Sequence, residues 1–157
     1  MRNPRSFFHP LAIGAPTPLR EVPIKPSRMI HFFDPSNPKM VAKVGDMAKQ
    51  ADILLGNLED AVAADKKLDA RAGLVQVGKE VDLGGTPLWT RINSLDSPWC
   101  LDDLTTLVGE IGDQLEVVMV PKVEGAWDIH YVDRLLAQLE AKHKGQKPIL
   151  VHAVPAT

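Results

Sequence analysis

Residues 115–120 read LEVVMV, and PKVEG follows at 121–125. A short, nearly unbroken apolar run that ends in charged residues and a glycine reads as a strand buried on both faces. Such strands belong to parallel sheets covered by helices. A strand with one wet face would alternate apolar and polar residues, whereas this one carries a single charge, Glu116.

Working outward, the flanking segments supply the helices and strands that such a sheet needs. Gly125 precedes a helical pattern in which Ile129, Val132, Leu135, Leu136 and Leu139 share a face, and Gly145 ends it. Pro148–Val154 (PILVHAV) is the next strand. On the N-terminal side, Ser97 is placed to cap a helix with Pro98 in its first turn, and Leu101, Leu104, Leu107, Val108 and Ile111 form its apolar stripe. Thr86–Asn93 reads as a strand set off by Gly84-Gly85. Asp65–Val81 reads as a helix, Asp52–Leu58 (DILLGNL) as a strand, and Arg28–Phe33 as the first strand. One helix is expected between those two strands, opened by Pro38, with Met40, Val41, Val44, Met47 and Ala48 on one side.

The order is β-α-β-α-β-α-β-α-β, which predicts a parallel sheet with right-handed crossovers. A doubly wound sheet and a (β/α)8 barrel both fit. The doubly wound fold calls for a glycine-rich phosphate turn after its first strand, but residues 34–38 read DPSNP. That favours the barrel. A barrel takes eight units and about 250 residues, and four and a half units are present. The expected division is a proline-rich arm over 1–26, holding six of the 13 prolines, and a partial (β/α) barrel over 27–157.

Composition narrows the function. The 157 residues carry a net charge of −2, with no basic footprint for nucleic acid. No window approaches the roughly 18 apolar residues of a membrane helix. One cysteine, Cys100, rules out an internal disulfide and suits a reducing cytoplasm. The expectation is a cytoplasmic protein that binds neither nucleic acid nor membrane.

Chemistry in parallel α/β folds gathers at the C-terminal ends of strands. Asp34 and Ser36 lie there after strand one, Asn57, Glu59 and Asp60 after strand two, Arg91 and Asn93 after strand three, and Lys122 and Glu124 after strand four. Glu59-Asp60 reads either as a site that orients a cation or water, or as an acidic pair at a helix N-terminus. Arg91, in an apolar strand, needs an anion. It either clamps a substrate carboxylate or pairs with Glu59 or Glu124. Lys122 and Glu124 read most simply as an ion pair with each other. His31 and His152 read as core or rim residues, and His130 and His143 as helix-surface residues. Cys100 has no histidine base beside it.

ILLGNLEDAVAADKK (53–67), WTRIN (89–93) and VMVPKVEG (118–125), in this order and spacing, resemble the HpcH/HpaI aldolase and citrate lyase β-subunit family, malyl-CoA lyase-type members above all. The resemblance runs from about 28 to 154. It implies a (β/α)8 barrel that assembles into homo-oligomers. The implied chemistry makes or breaks a carbon–carbon bond between a 2-oxo acid and an acyl-CoA partner, with Mg2+ as Lewis acid. It further implies that Arg91 binds the substrate carboxylate and that Glu59 and Asp60 lie beside the metal, orienting water and Arg91. Asn93 and Glu124 would shape the site, and the Arg28–Asn37 loop would lie near CoA phosphates.

The sequence departs from the family pattern in three places. Asp34-Pro35-Ser36 replaces a Pro-Gly-Ser loop, and Asn57 replaces an aspartate. Ala156 stands where the family has a metal-binding glutamate. The second family ligand would fall past residue 157, so no metal ligand is assigned within the sequence. The expectation that follows is a truncated lyase, inactive by itself. The alternatives are a non-catalytic half-barrel assembly module and a small nucleotide-binding α/β protein.

Overall fold

The computed structural model describes Pro16 and residues 25–156. The proline-rich arm therefore falls, except for Pro16, Lys25 and Pro26, outside the described residues. The elements are β1 (Ile30–Phe33), α1 (Pro38–Val41), α2 (Val44–Ala48), β2 (Ile53–Asn57), α3 (Lys67–Glu80), β3 (Leu88–Arg91), α4 (Cys100–Ile111), β4 (Leu115–Val123), α5 (Ala126–His143) and β5 (Leu150–Pro155). A 3-10 turn, Ala64–Lys66, leads into α3.

The five strands form one sheet in the order β1-β2-β3-β4-β5, every pair parallel. Each strand pairs with its successor and the winding direction never reverses. A doubly wound sheet reverses at its switch point, so the topology is that of a barrel wall. The crossovers put the core between sheet and helices: Leu54, Leu58, Leu74, Val77, Leu88, Ile92, Leu104, Leu107, Ile111, Val118, Val120, Val132 and Leu136 are all buried there. Each such side chain stabilises the fold by about 1.5–3 kcal/mol. The quoted strand β4 is buried from Val117 through Pro121, as its unbroken apolar run requires.

Two glycines allow α3 to lie close to its neighbours. A Cβ at Gly56 would stand 2.5 Å from Leu74 Cδ1, and one at Gly73 would stand 2.0 Å from the carbonyl oxygen of Pro35. Helix α3 is thereby seated on both β2 and the loop after β1.

Several boundaries differ from expectation. The single helix expected from Pro38 is two, because Lys43 N bonds Met40 O and Asp46 N bonds Lys43 O, i→i+3 contacts that tighten the chain between them. Asn37 caps the first one, its Oδ1 accepting from Lys39 N at 3.0 Å. Helix α4 begins at Cys100 rather than at Pro98. Ser97 closes a turn instead, donating its N–H to Ser94 O at 2.9 Å.

Candidate active site

The C-terminal ends of β2, β3, β4 and β5 converge on one open cleft of about 510 Å3. Glu59, Asp60, Arg91, Lys122 and Glu124 line it. Glu59 is the organising residue. Its side chain is only 5% exposed, with Arg91 Nη2 at 3.4 Å from Oε2 and Lys122 Nζ at 2.9 Å from Oε1. The two cations flank one buried carboxylate, and the ion pairs hold all three side chains in place.

Asn57, at the last position of β2, completes the frame. Its Oδ1 accepts from Arg91 Nε at 2.9 Å and from the backbone N–H of Glu59 at 3.1 Å. The strand register sets Asn57 beside Arg91, so a short side chain reaches the guanidinium directly. The Phe32 ring lies 5.6 Å from Arg91 Cζ and supports the guanidinium from β1. With Nε and Nη2 occupied, the plane of Arg91 is fixed. Nη1 makes no hydrogen bond among the described residues.

Lys122 sits where β4 shifts register against β5, between Val120 and Val123. Its φ is +53°, a conformation that L residues seldom adopt. Lys122 Nζ also donates to Asp60 Oδ1 at 3.1 Å. That bond holds the Asp60 carboxyl below the usual aspartate range, with a further contribution from Glu59. Glu59 and then Asp60 raise the Lys122 ammonium above the usual lysine range. Lys122 is therefore a fixed positive charge at neutral pH.

This geometry corrects two sequence-based readings. Lys122 pairs with Glu59 and Asp60, not with Glu124, because the bulge and positive φ turn it toward β2. Glu59 and Asp60 are not a helix-terminal pair, since several residues separate them from the 3-10 turn and α3. Of the candidates, the cleft gathers Glu59, Asp60, Arg91 and Glu124. The Glu124 backbone N–H is held by Asp128 Oδ2 at 2.8 Å. Asn93 lies behind the cleft, buried, with its N and Nδ2 both donating to Asp103 Oδ2 at 3.0 and 2.7 Å. His152 is exposed on β5, 5.8 Å from Trp89 between ring centroids. Burial and the nearby Asp103 push the Cys100 thiol up to about 12.

The donor set does not by itself suit Mg2+, which wants near-octahedral oxygen ligands. Both Glu59 oxygens and one Asp60 oxygen face cations, and the β5 end offers the methyl of Ala156. Among the described residues, no three His, Cys, Asp or Glu side chains converge to hold a metal.

A barrel wall whose strand ends carry this arginine–glutamate–lysine cluster defines a class, and comparison with known proteins names it. Residues 28–154 match the HpcH/HpaI aldolase/citrate lyase family, and the chain belongs to that family. The chain is 53% identical over 152 residues to a malyl-CoA/β-methylmalyl-CoA/citramalyl-CoA lyase of Chloroflexus aurantiacus, covering 97% of this chain and 44% of that protein. It is 36% identical over 127 residues to an L-malyl-CoA/β-methylmalyl-CoA lyase of Cereibacter sphaeroides, covering 81% of this chain and 39% of that one. Among solved structures it resembles Mycobacterium tuberculosis protein CitE in complex with magnesium and pyruvate. The TM-score there is 0.56 at 25% identity, over 82% of this chain and 44% of that one. It also resembles the citrate lyase β subunit of the same organism complexed with oxaloacetate and magnesium, with TM-score 0.51 at 27% identity, over 66% and 42%. The chain thus spans less than half the length of these relatives. Among the described residues, no helix is long and apolar enough to cross a membrane.

Proposed function

We propose that this chain carries the carboxylate-binding part of a carbon–carbon lyase site acting on malyl-CoA-type thioesters, with a 2-oxo acid and an acyl-CoA as the cleaved partners. The observation that carries this reading is Arg91, locked by Asn57 and Glu59 in a half-open cleft. A guanidinium fixed in this way is suited to a planar carboxylate, which it meets through charge-assisted hydrogen bonds. Glu59 holds the arginine at its post. Lys122 adds a second fixed cation, which favours an anionic ligand and opposes loss of its charge. Cleavage breaks the bond between the hydroxyl-bearing carbon and the carbon next to the thioester. The hydroxyl gives up its proton to a base or to solvent and becomes the carbonyl of a 2-oxo acid, while the bonding pair passes to the thioester fragment as an enolate, whose carbon then takes up a proton to give the acyl-CoA. Arg91 would hold the carboxylate end still while that bond realigns.

Magnesium is part of the family reading because two of the similar structures contain it. The described carboxylates do not hold it, and no metal ligand is assigned in this chain. Assembly into homo-oligomers belongs to the same reading. A non-catalytic assembly module is the second reading, favoured by β1 and β5, which each pair on one side only among the described residues. Isothermal titration of oxaloacetate, with and without Mg2+, into the chain and its Arg91→Ala variant tests the proposal. The expected result is saturable binding weakened at least about tenfold by the substitution, the loss of a charge-assisted bond. Equal binding by both proteins, or none by folded wild type, would remove the lyase reading and leave the assembly module.

A further inference from the structure

Helix α3 carries two cations one turn apart, and each braces the end of a different strand. Lys67 Nζ donates to the carbonyl oxygens of Leu58 at 2.7 Å and Glu59 at 2.9 Å, and lies 5.4 Å from the centroid of the Trp99 ring. Arg71 Nε donates to Asp103 Oδ1 at 2.9 Å and its Nη2 to Trp99 O at 3.2 Å. The other oxygen of Asp103 holds Asn93, two residues past Arg91.

Arg71 has a carboxylate partner, so its burial is compensated. Lys67 has none within ion-pair distance among the described residues, although it is only 6% exposed. It is also the first residue of α3, where the helix dipole presents its positive end. Burial draws its ammonium below the usual lysine range, opposed only by the more distant Asp103, Glu59 and Asp60 charges. On stability alone, an apolar side chain of similar volume would serve better here.

The ammonium does something that an apolar side chain could not. The Leu58 carbonyl belongs to the peptide plane before the Glu59 Cα, and the Glu59 carbonyl to the plane after it. Peptide planes are rigid, so holding both fixes the backbone torsions of Glu59. The geometry points to Lys67 as a positioning residue for the cleft: by clamping the two peptide planes that flank Glu59, it sets the direction in which the Glu59 carboxylate meets Arg91 and Lys122. The inference rests on the proposed lyase function only for its catalytic consequence, since the clamp is built wholly from groups of this chain.

Its test is therefore ligand-free. Lys67→Met, Lys67→Gln and Lys67→Arg are compared with Leu68→Ala, a control at the exposed neighbouring position. The readouts are the Glu59 carboxyl carbon and Arg91 Nε–H resonances by NMR, with urea stability measured alongside. Lys67→Met is expected to move both resonances well beyond the control, out of proportion to any change in stability. Lys67→Gln, which keeps an N–H donor, should move them less, and Lys67→Arg should restore them in part. Resonances of the Met and Gln variants that match the control overturn the inference. If Lys67→Met does not fold, Lys67→Gln against Leu68→Ala decides on the same criterion. Oxaloacetate titration of the same variants is a separate arm. Absent binding in wild type would sink the lyase reading, while the resonances still judge the clamp.

Discussion

Lys122 Nζ stands 2.9 Å from Glu59 Oε1, joining the ends of β2 and β4 across the intervening β3. The contact exists because Lys122 takes a left-handed backbone conformation at a register shift in β4. Such a conformation costs a non-glycine residue about 1–2 kcal/mol. It is retained at the one place where it brings a cation to both Glu59 and Asp60.

Lys122→Met should release Asp60. In wild type its carboxyl sits below 3.8 because of Lys122 and then Glu59. A lowered folded value contributes stability above pH 3.8 that is lost as pH falls through the lowered value. In Lys122→Met the Asp60 titration, followed by carboxyl NMR, should move up toward 3.8, and the acid-side slope of stability should flatten. An unmoved Asp60 titration would show that Lys122 does not hold it in solution.

Asp103 is fully buried and takes bonds from Arg71 and Asn93 at once. Asp103→Ala leaves Arg71 charged and unpaired in the interior and should cost about 3–5 kcal/mol. The double change Arg71→Met with Asp103→Leu should recover much of that loss, since the pair's desolvation cost disappears with its charges. Urea unfolding of the single and the double variant against wild type measures both. A single-mutant loss below about 1 kcal/mol would mean that the pair is solvated in practice.

Two helical glycines should respond to alanine with opposite signs. At Gly73 the new Cβ would meet the backbone oxygen of Pro35 at 2.0 Å, and neither α3 nor the loop can yield cheaply. A loss of about 1–3 kcal/mol or more is expected. At Gly109 the nearest atoms belong to the exposed His143 ring at 3.1 Å, which can rotate away. There the helix propensity of alanine should win, a gain of up to about 1 kcal/mol. Thermal melts of the two variants read the signs directly.

The barrel was legible in the alternation of short apolar runs with helical stripes, because each periodicity reports what its element packs against. Arg91 and Glu59 stood out as charges at the ends of apolar strands, where burial demands partners. The identity of those partners was not legible. Lys122 looked like a neighbour of Glu124, and only a positive φ with a register shift, neither written in side-chain type, turns it toward β2. Lys67 and Arg71 did not stand out in the sequence at all. Their i,i+4 spacing puts them on one face of a helix. That spacing does not say that carbonyls and Asp103 wait beneath.

Glu140 gives the last prediction. It is buried on α5 at the end of the molecule opposite the cleft, and its Oε1 accepts from Ile149 N at 2.7 Å. Burial pushes its carboxyl above 4.5, more than the Ile149 bond lowers it. The folded protein therefore binds this proton more tightly than the unfolded chain does. Stability is highest below 4.5 on account of this group, and declines as pH rises from there through the raised folded value. Glu140→Gln keeps an oxygen for Ile149 and has no charge to bury. It should be more stable than wild type at pH 7, and the advantage should vanish below pH 4.5. Urea unfolding of both proteins across that range measures the difference. A variant less stable at pH 7 would mean that the ionised carboxylate finds compensation beyond Ile149.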